Sequence, residues 1–172
     1  MFQLSTKGQR WLKVVHLTTV ACWVGGAASL FLLHFLRFTK SGAQGLHGID
    51  MAAHTIDMGI VVIAGALASL ATGLVYSLLT GWGFLRYRWV MVKWLVTCAA
   101  IAFGTVCLGP WEEAMLAISA QQNASAASDG AYSLYRWLNF GFGALQLCVL
   151  IFLVWVSVFK PWRTVRKETD MV

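Results

Sequence analysis

Four histidines, His16, His34, His47 and His54, all fall in the first third of the 172-residue chain. Neutral imidazole is a common ligand for Zn, Cu, Fe and Ni, and two imidazoles facing each other across a helical bundle suit axial ligation of a haem. At least two of the four interrupt stretches apolar enough to cross a membrane, where an ionisable group is costly and is by default a functional candidate. His47, Asp50, His54 and Asp57 are separated by 3, 4 and 3 residues. That spacing places all four on one face of a helix extended back through the preceding connection. With His34 at similar depth, and Glu112 and Glu113 able to add carboxylates, the stripe suits a divalent metal such as Cu or Zn. The pair His34 and His54 alone suits haem b. The ordinary reading stands beside these: His47 and Asp50 as solvated loop residues, Asp57 as a local cap, His34 as an interfacial histidine.

His16 stands apart. It lies 18 residues before His34, five helical turns, so the two share one face of the first helix about 27 Å apart along its axis. Met91 and Lys93, at the start of the third apolar stretch, are expected near the depth of His16. Lys93 enters the run Val90 to Leu95, either to snorkel to the interface or to neutralise a propionate or another bound anion.

Helices must position these groups. Hydrophobic residues make up 59% of the chain and charged residues 12%, about half the share of an ordinary soluble domain. Four apolar stretches, about 11–38, 51–80, 89–110 and 134–159, each approach or exceed the roughly 20 residues a spanning helix needs. The expectation is one all-α domain over residues 1–172, a four-transmembrane-helix bundle with no soluble domain or repeat. Lys7, Arg10 and Lys13 ahead of the first stretch do not make it a signal peptide: the apolar run is too long and no A-x-A-like site comes after it. Gly65, Ser69 and Gly73 recur at four-residue spacing and read as a close-packing surface, with Gly25 and Gly26 or Gly141 and Gly143 as complements. Pro110 is expected to stop the third helix, leaving residues 111–133 as an acidic, polar loop with a short surface helix near 114–119. Cys22, Cys98, Cys107 and Cys148 form no CxxC pair and read as small apolar core residues.

Ten of the thirteen basic residues fall on one side of this bundle: Lys7, Arg10, Lys13, Arg86, Arg88, Lys93, Lys160, Arg163, Arg166 and Lys167. Only Arg37, Lys40 and Arg136 fall on the other, so the positive-inside rule places both termini in the cytoplasm. This inner collar accounts for the net charge of +6 through contact with anionic lipid, without nucleic acid. There is no membrane-depth serine with a partner histidine and no phosphate-cradling glycine loop, so hydrolysis is not indicated.

The segments Leu12-Lys13-Val14-Val15-His16 and Trp23-Val24-Gly25-Gly26, with Arg88-Trp89 and Lys93-Trp94, resemble a group of small bacterial membrane proteins. The group includes the membrane domain of copper resistance protein D and the HemJ-type protoporphyrinogen oxidases. They share an early His, a Trp followed by small residues, and a Lys after a Trp in a later helix. Thr72-Gly73-Leu74-Val75-Tyr76-Ser77, Trp82-Gly83-Phe84, Phe103-Gly104-Thr105 and Leu108-Gly109-Pro110-Trp111 are similar to a four-helix family in the same neighbourhood. The resemblance implies a bundle in the bacterial inner membrane that binds haem b or a porphyrin, with His16 as ligand and Lys93 as the charged residue. The chain lacks Met-rich or Cys-rich tracts that would suit Cu(I). Three readings are open. The first is a haem b protein, a candidate membrane oxidoreductase or haem-handling protein with a quinone or redox partner. It uses His34 and His54, with His16, Lys93 and Met91 at an inner site. The second is a Cu or Zn binding or transport protein using His34, His47, His54, Asp50 and Asp57. The third is a non-catalytic subunit packed in a larger complex or homo-oligomer.

Overall fold

The computed structural model describes residues 4–39, 43–79, 87–122 and 125–161. The turn expected over residues 80–86, and Lys40, Arg163, Arg166 and Lys167, lie outside the described residues. Four helices carry the chain: α1 (Thr6–Thr39), α2 (43–79), α3 (Arg88–Gln122) and α4 (Gly130–Phe159). Each is longer than the apolar stretch that predicts it, and the mean hydropathy of the most apolar windows runs from 1.7 to 2.4. Large apolar side chains such as Leu17, Leu32, Ile63, Leu95, Val106 and Val158 face outward. Four such helices with apolar outer surfaces make this a multi-pass membrane protein in contact with lipid. At 34 residues and 1.5 Å per residue α1 is about 51 Å long, well beyond a hydrocarbon core of about 30 Å, so the helix ends project past it.

Lipid tails are as apolar as leucine, so burying apolar area does not drive these helices together; close packing of small residues does. The core is Trp23 and Ala27 of α1, Ala66 of α2, Ala100 of α3, and Leu150 and Leu153 of α4. Gly65 is indispensable to the α1–α2 contact: a Cβ there would sit 2.7 Å from Cα and Cβ of Trp23 and 2.9 Å from the Ile60 carbonyl. Gly26 answers it, since a Cβ there would meet Val61 at 2.7 Å. Gly25 and Gly141 have open space around them and are not complements in this packing. Cys98 and Cys148 are exposed rather than core residues.

Two helices change winding partway. In α2 an α-helical start, Ala43–Ile56, passes into a π-helical stretch, Asp57–Leu67, and returns to α-helix over Ala68–Leu79. In α3 the π-helical turn is Gly104–Leu108, between Arg88–Phe103 and Gly109–Gln122. The second of these corrects the expected stop at Pro110. Proline removes an N–H and crowds the preceding turn, but at the second position after a widened turn its ring is accommodated and the helix continues. Residues 111–122 are therefore helix rather than loop, and Glu112 is brought over the acidic end of the bundle. The start of α4 is capped by Asp129, whose carboxylate accepts from Tyr132 N at 2.9 Å and from Gln122 Nε2 at 3.1 Å.

Two outcomes test this packing. Gly65→Ala should lower the thermal midpoint in detergent by several degrees, a loss of about 1–3 kcal/mol, whereas Gly25→Ala should leave it unchanged. The backbone hydrogen bond from Tyr132, then that from Gln122, holds the Asp129 carboxyl below its ordinary value of 3.8. A depressed carboxylate pKa contributes stability above the ordinary value and loses it as pH falls through the folded one. The wild-type advantage over Asp129→Ala should thus be constant near neutrality and shrink below pH 3.8.

Candidate functional site

The titratable residues divide between the two ends of the bundle. At the acidic end, α1 contributes His34 and Arg37, α2 contributes Asp50, α3 contributes Glu112 and α4 contributes Tyr132. All five are buried, with Arg37, Asp50 and Tyr132 at 0% exposure. Arg37 Nε donates to Asp50 Oδ1 at 2.8 Å, and its two terminal nitrogens grip Glu112 bidentately, Nη1 to Oε2 at 3.1 Å and Nη2 to Oε1. Tyr132 Oη donates to both Asp50 oxygens at 3.2 Å. Arg37 Nη1 also donates to His34 Nδ1, and because a guanidinium has no acceptor, Nδ1 is bare and the ring proton sits on Nε2. One interaction set thus ties together all four helices.

This arrangement places the sequence-predicted stripe in detail. Asp50 is committed to Arg37 and Tyr132. His47 is half-buried, its Nδ1 3.3 Å from Ser119 Oγ, and so joins α2 to α3. His54 is half-buried within electrostatic reach of Asp57 and Glu112. Asp57 and His34 line a cavity of about 90 Å³ beneath the Arg37 network. That volume lies well below the roughly 300 Å³ at which ordinary ligand pockets begin, and His54 is not part of its lining. Among the described residues no three His, Cys, Asp or Glu side chains are grouped to hold a metal ion.

The basic end holds the larger space. A cavity of about 610 Å³ opens between α1, the 68–79 stretch of α2, the 88–103 stretch of α3 and the end of α4, and His16, Lys13, Tyr76, Trp89, Lys93 and Trp94 line it. These stretches of α2 and α3 do not pack closely, and Trp94 Nε1 reaches across to Ser77 Oγ at 3.3 Å. His16 Nδ1 lies 2.8 Å from Thr72 Oγ1. The Thr72 hydroxyl also reaches the Ala68 carbonyl at 2.7 Å and that of Ser69 at 3.1 Å; with its one proton given to either, Oγ1 accepts from His16 Nδ1–H. The Ser69 backbone also hydrogen-bonds the ring, and with Nδ1 protonated the lone pair is on Nε2. Gly73 keeps the space beside the ring clear, a Cβ there reaching only 3.6 Å from His16 Cε1. Lys93 Nζ and Lys160 Nζ stand 6.0 and 5.9 Å from the Trp89 ring centroid, at the outer limit of cation–π range. Lys160 caps α4 with φ 46°, the left-handed conformation that ends a helix. Met91 is 43% exposed and lies outside this lining, which corrects its expected place at the inner site.

The residues that sequence reasoning left out are Arg37 as a site residue, Tyr132, Asn139 and Thr72. Arg37 had a signal: it comes three residues after His34, on the same helix face, near the end of an apolar run. No family model matches the chain, and neither a curated protein nor a solved structure matches it.

Removing one partner of a buried ion pair strands the other's charge. Arg37→Met is therefore expected to cost about 3–5 kcal/mol in the denaturation of the solubilised protein. Arg37→Lys should recover less than half, because an ammonium cannot hold Glu112 bidentately and reach Asp50 as well. Wild-type stability in either variant would show that the network does not hold the helices together.

Proposed function

We propose that this chain is a haem b-binding integral membrane protein with a redox or haem-handling role, its haem held in the cavity at the basic end by His16. The observation that carries this reading is that His16 lines a space of about 610 Å³ with its Nδ1 held 2.8 Å from Thr72 Oγ1, so that Nε2 is the nitrogen available to iron. Metal-ligating histidines are commonly oriented in this way through the second ring nitrogen. The volume falls within the roughly 300–1,000 Å³ of small-molecule and cofactor sites. The lining fits the group's chemistry: Leu17, Val20, Leu150 and Leu153 suit an apolar macrocycle, and Lys13 and Lys93 suit its propionates. His16 and Lys93, the two residues singled out by the resemblance to the copper resistance protein D and HemJ-type group, are 77 positions apart and line the same cavity.

Bound there, haem supplies one-electron chemistry. The chain's own residues do the rest. Thr72 fixes the imidazole tautomer, Lys13 and Lys93 hold negative charge at the basic rim, and the apolar wall excludes water from the ligand's faces. By the positive-inside rule the basic end faces the cytoplasm of a bacterial inner membrane, where a quinone or a redox protein is the natural electron partner.

Protein purified from cells supplied with haem should show a Soret band that shifts on reduction. His16→Ala should abolish it, and Thr72→Val should weaken haem retention by about 10–100-fold. His47→Ala and His54→Ala should leave the band intact. A wild-type protein without the band, or a band that survives His16→Ala, would overturn this assignment.

A further inference from the structure

The small cavity at the acidic end is built differently from the haem-sized one and takes a different ligand. It lies beneath the Arg37 network, and both π-helical stretches contribute to its wall through Asp57 and Thr105. Three polar groups face it with capacity to spare. Asn139 is 2% exposed, and its Nδ2 has no partner among the described residues. An unmet donor at that depth costs about 1–3 kcal/mol unless something fills the space. His34 Nε2–H is the second, its tautomer set by Arg37. Gln146 is the third: its Nε2 donates to the Ala100 carbonyl at 3.0 Å, which leaves Oε1 as an acceptor.

Charge narrows the choice of ligand. Arg37 faces Asp50 and Glu112 together, so the network carries one excess negative charge, and Asp57 across the cavity adds another. The titratable groups about Asp57 are His34 from α1, His54 from α2, and Glu112 and Glu113 from α3, with Arg37, Asp50 and Tyr132 linked behind Glu112. An anion is repelled there, and a dedicated metal site would need three ligands that are not grouped. Water satisfies donors and acceptors alike. At about 10–15 Å³ for each water, a cavity of 90 Å³ holds about six to nine molecules.

We propose that this cavity is a water-filled proton-binding site in which Asp57 takes up a proton and exchanges it through the water cluster with Glu112 and the acidic-end surface. A hydronium ion delivers its proton to an Asp57 carboxylate oxygen and leaves as water, and release runs in reverse. His34 and Asn139 are positioning residues that anchor the cluster without themselves changing protonation. The site is independent of the haem assignment, being at the opposite end and lined by none of the same residues.

Infrared difference spectroscopy of the solubilised full chain tests this. A carboxylic acid C=O band should grow in as pH is lowered, shift promptly in D₂O, and vanish in Asp57→Asn. In Asn139→Leu the band should persist while its D₂O shift slows by an order of magnitude, since the cluster loses its anchor. X-ray-generated hydroxyl radicals offer a second readout in the unaltered protein: Phe31 and Leu108, which line the cavity, should be oxidised by adjacent water. Absence of the band, its survival in Asp57→Asn, unchanged exchange in a folded Asn139→Leu, or unlabelled Phe31 and Leu108 would each overturn the proposal.

Discussion

A guanidinium that is completely buried has to be met by carboxylates, because its own charge cannot be shed. In this protein Arg37 meets Asp50 and Glu112 while Tyr132 caps Asp50, so one cation draws a side chain from each of the other three helices. The consequence is register. Sliding any helix by one residue would move its contribution by about 1.5 Å along the axis and break a hydrogen bond that nothing else can replace at that depth. Apolar helices in lipid have little else to set their mutual height, because packing of small residues tolerates several offsets. The close approach of Gly65 to Trp23 then fixes how near α1 and α2 come once their height is set.

That division of labour explains why the two ends differ. At the acidic end the ion network pulls the helices together and leaves room only for a small cavity. At the basic end α2 and α3 stand apart, and Lys13, Lys93 and Lys160 line a much larger space. The π-helical stretches reconcile these demands within continuous helices. The turn at Gly104–Leu108 lets α3 pass Pro110 and deliver Glu112 to Arg37, while the longer one in α2 carries Asp57 to the cavity and Gly65 to Trp23.

The four-helix membrane architecture was legible in the sequence because long apolar runs have one structural solution in lipid: helices that satisfy their own backbone. The helix ends were not legible, since Pro110 is ordinarily a stop signal and nothing local announces a widened turn. The histidines stood out as candidate ligands, yet His34 and Asp50 answer to Arg37, a residue that charge counting had filed as an exception to the positive-inside rule. Such exceptions mark buried partners: a cation on the acidic side of a membrane protein needs a local reason to be there. The role of Thr72 was beyond sequence reading, because it rests on a hydrogen bond spanning 56 residues.

The central claim is that a bare imidazole nitrogen at the basic end holds an iron porphyrin. The most direct measurement is an iron-edge anomalous difference map from crystals of the protein purified with its endogenous ligand. The account predicts a single iron peak bonded to His16 Nε2, with planar density filling the cavity beside Gly73. A peak between His34 and His54, or acyl-chain density in an iron-free cavity, would contradict it.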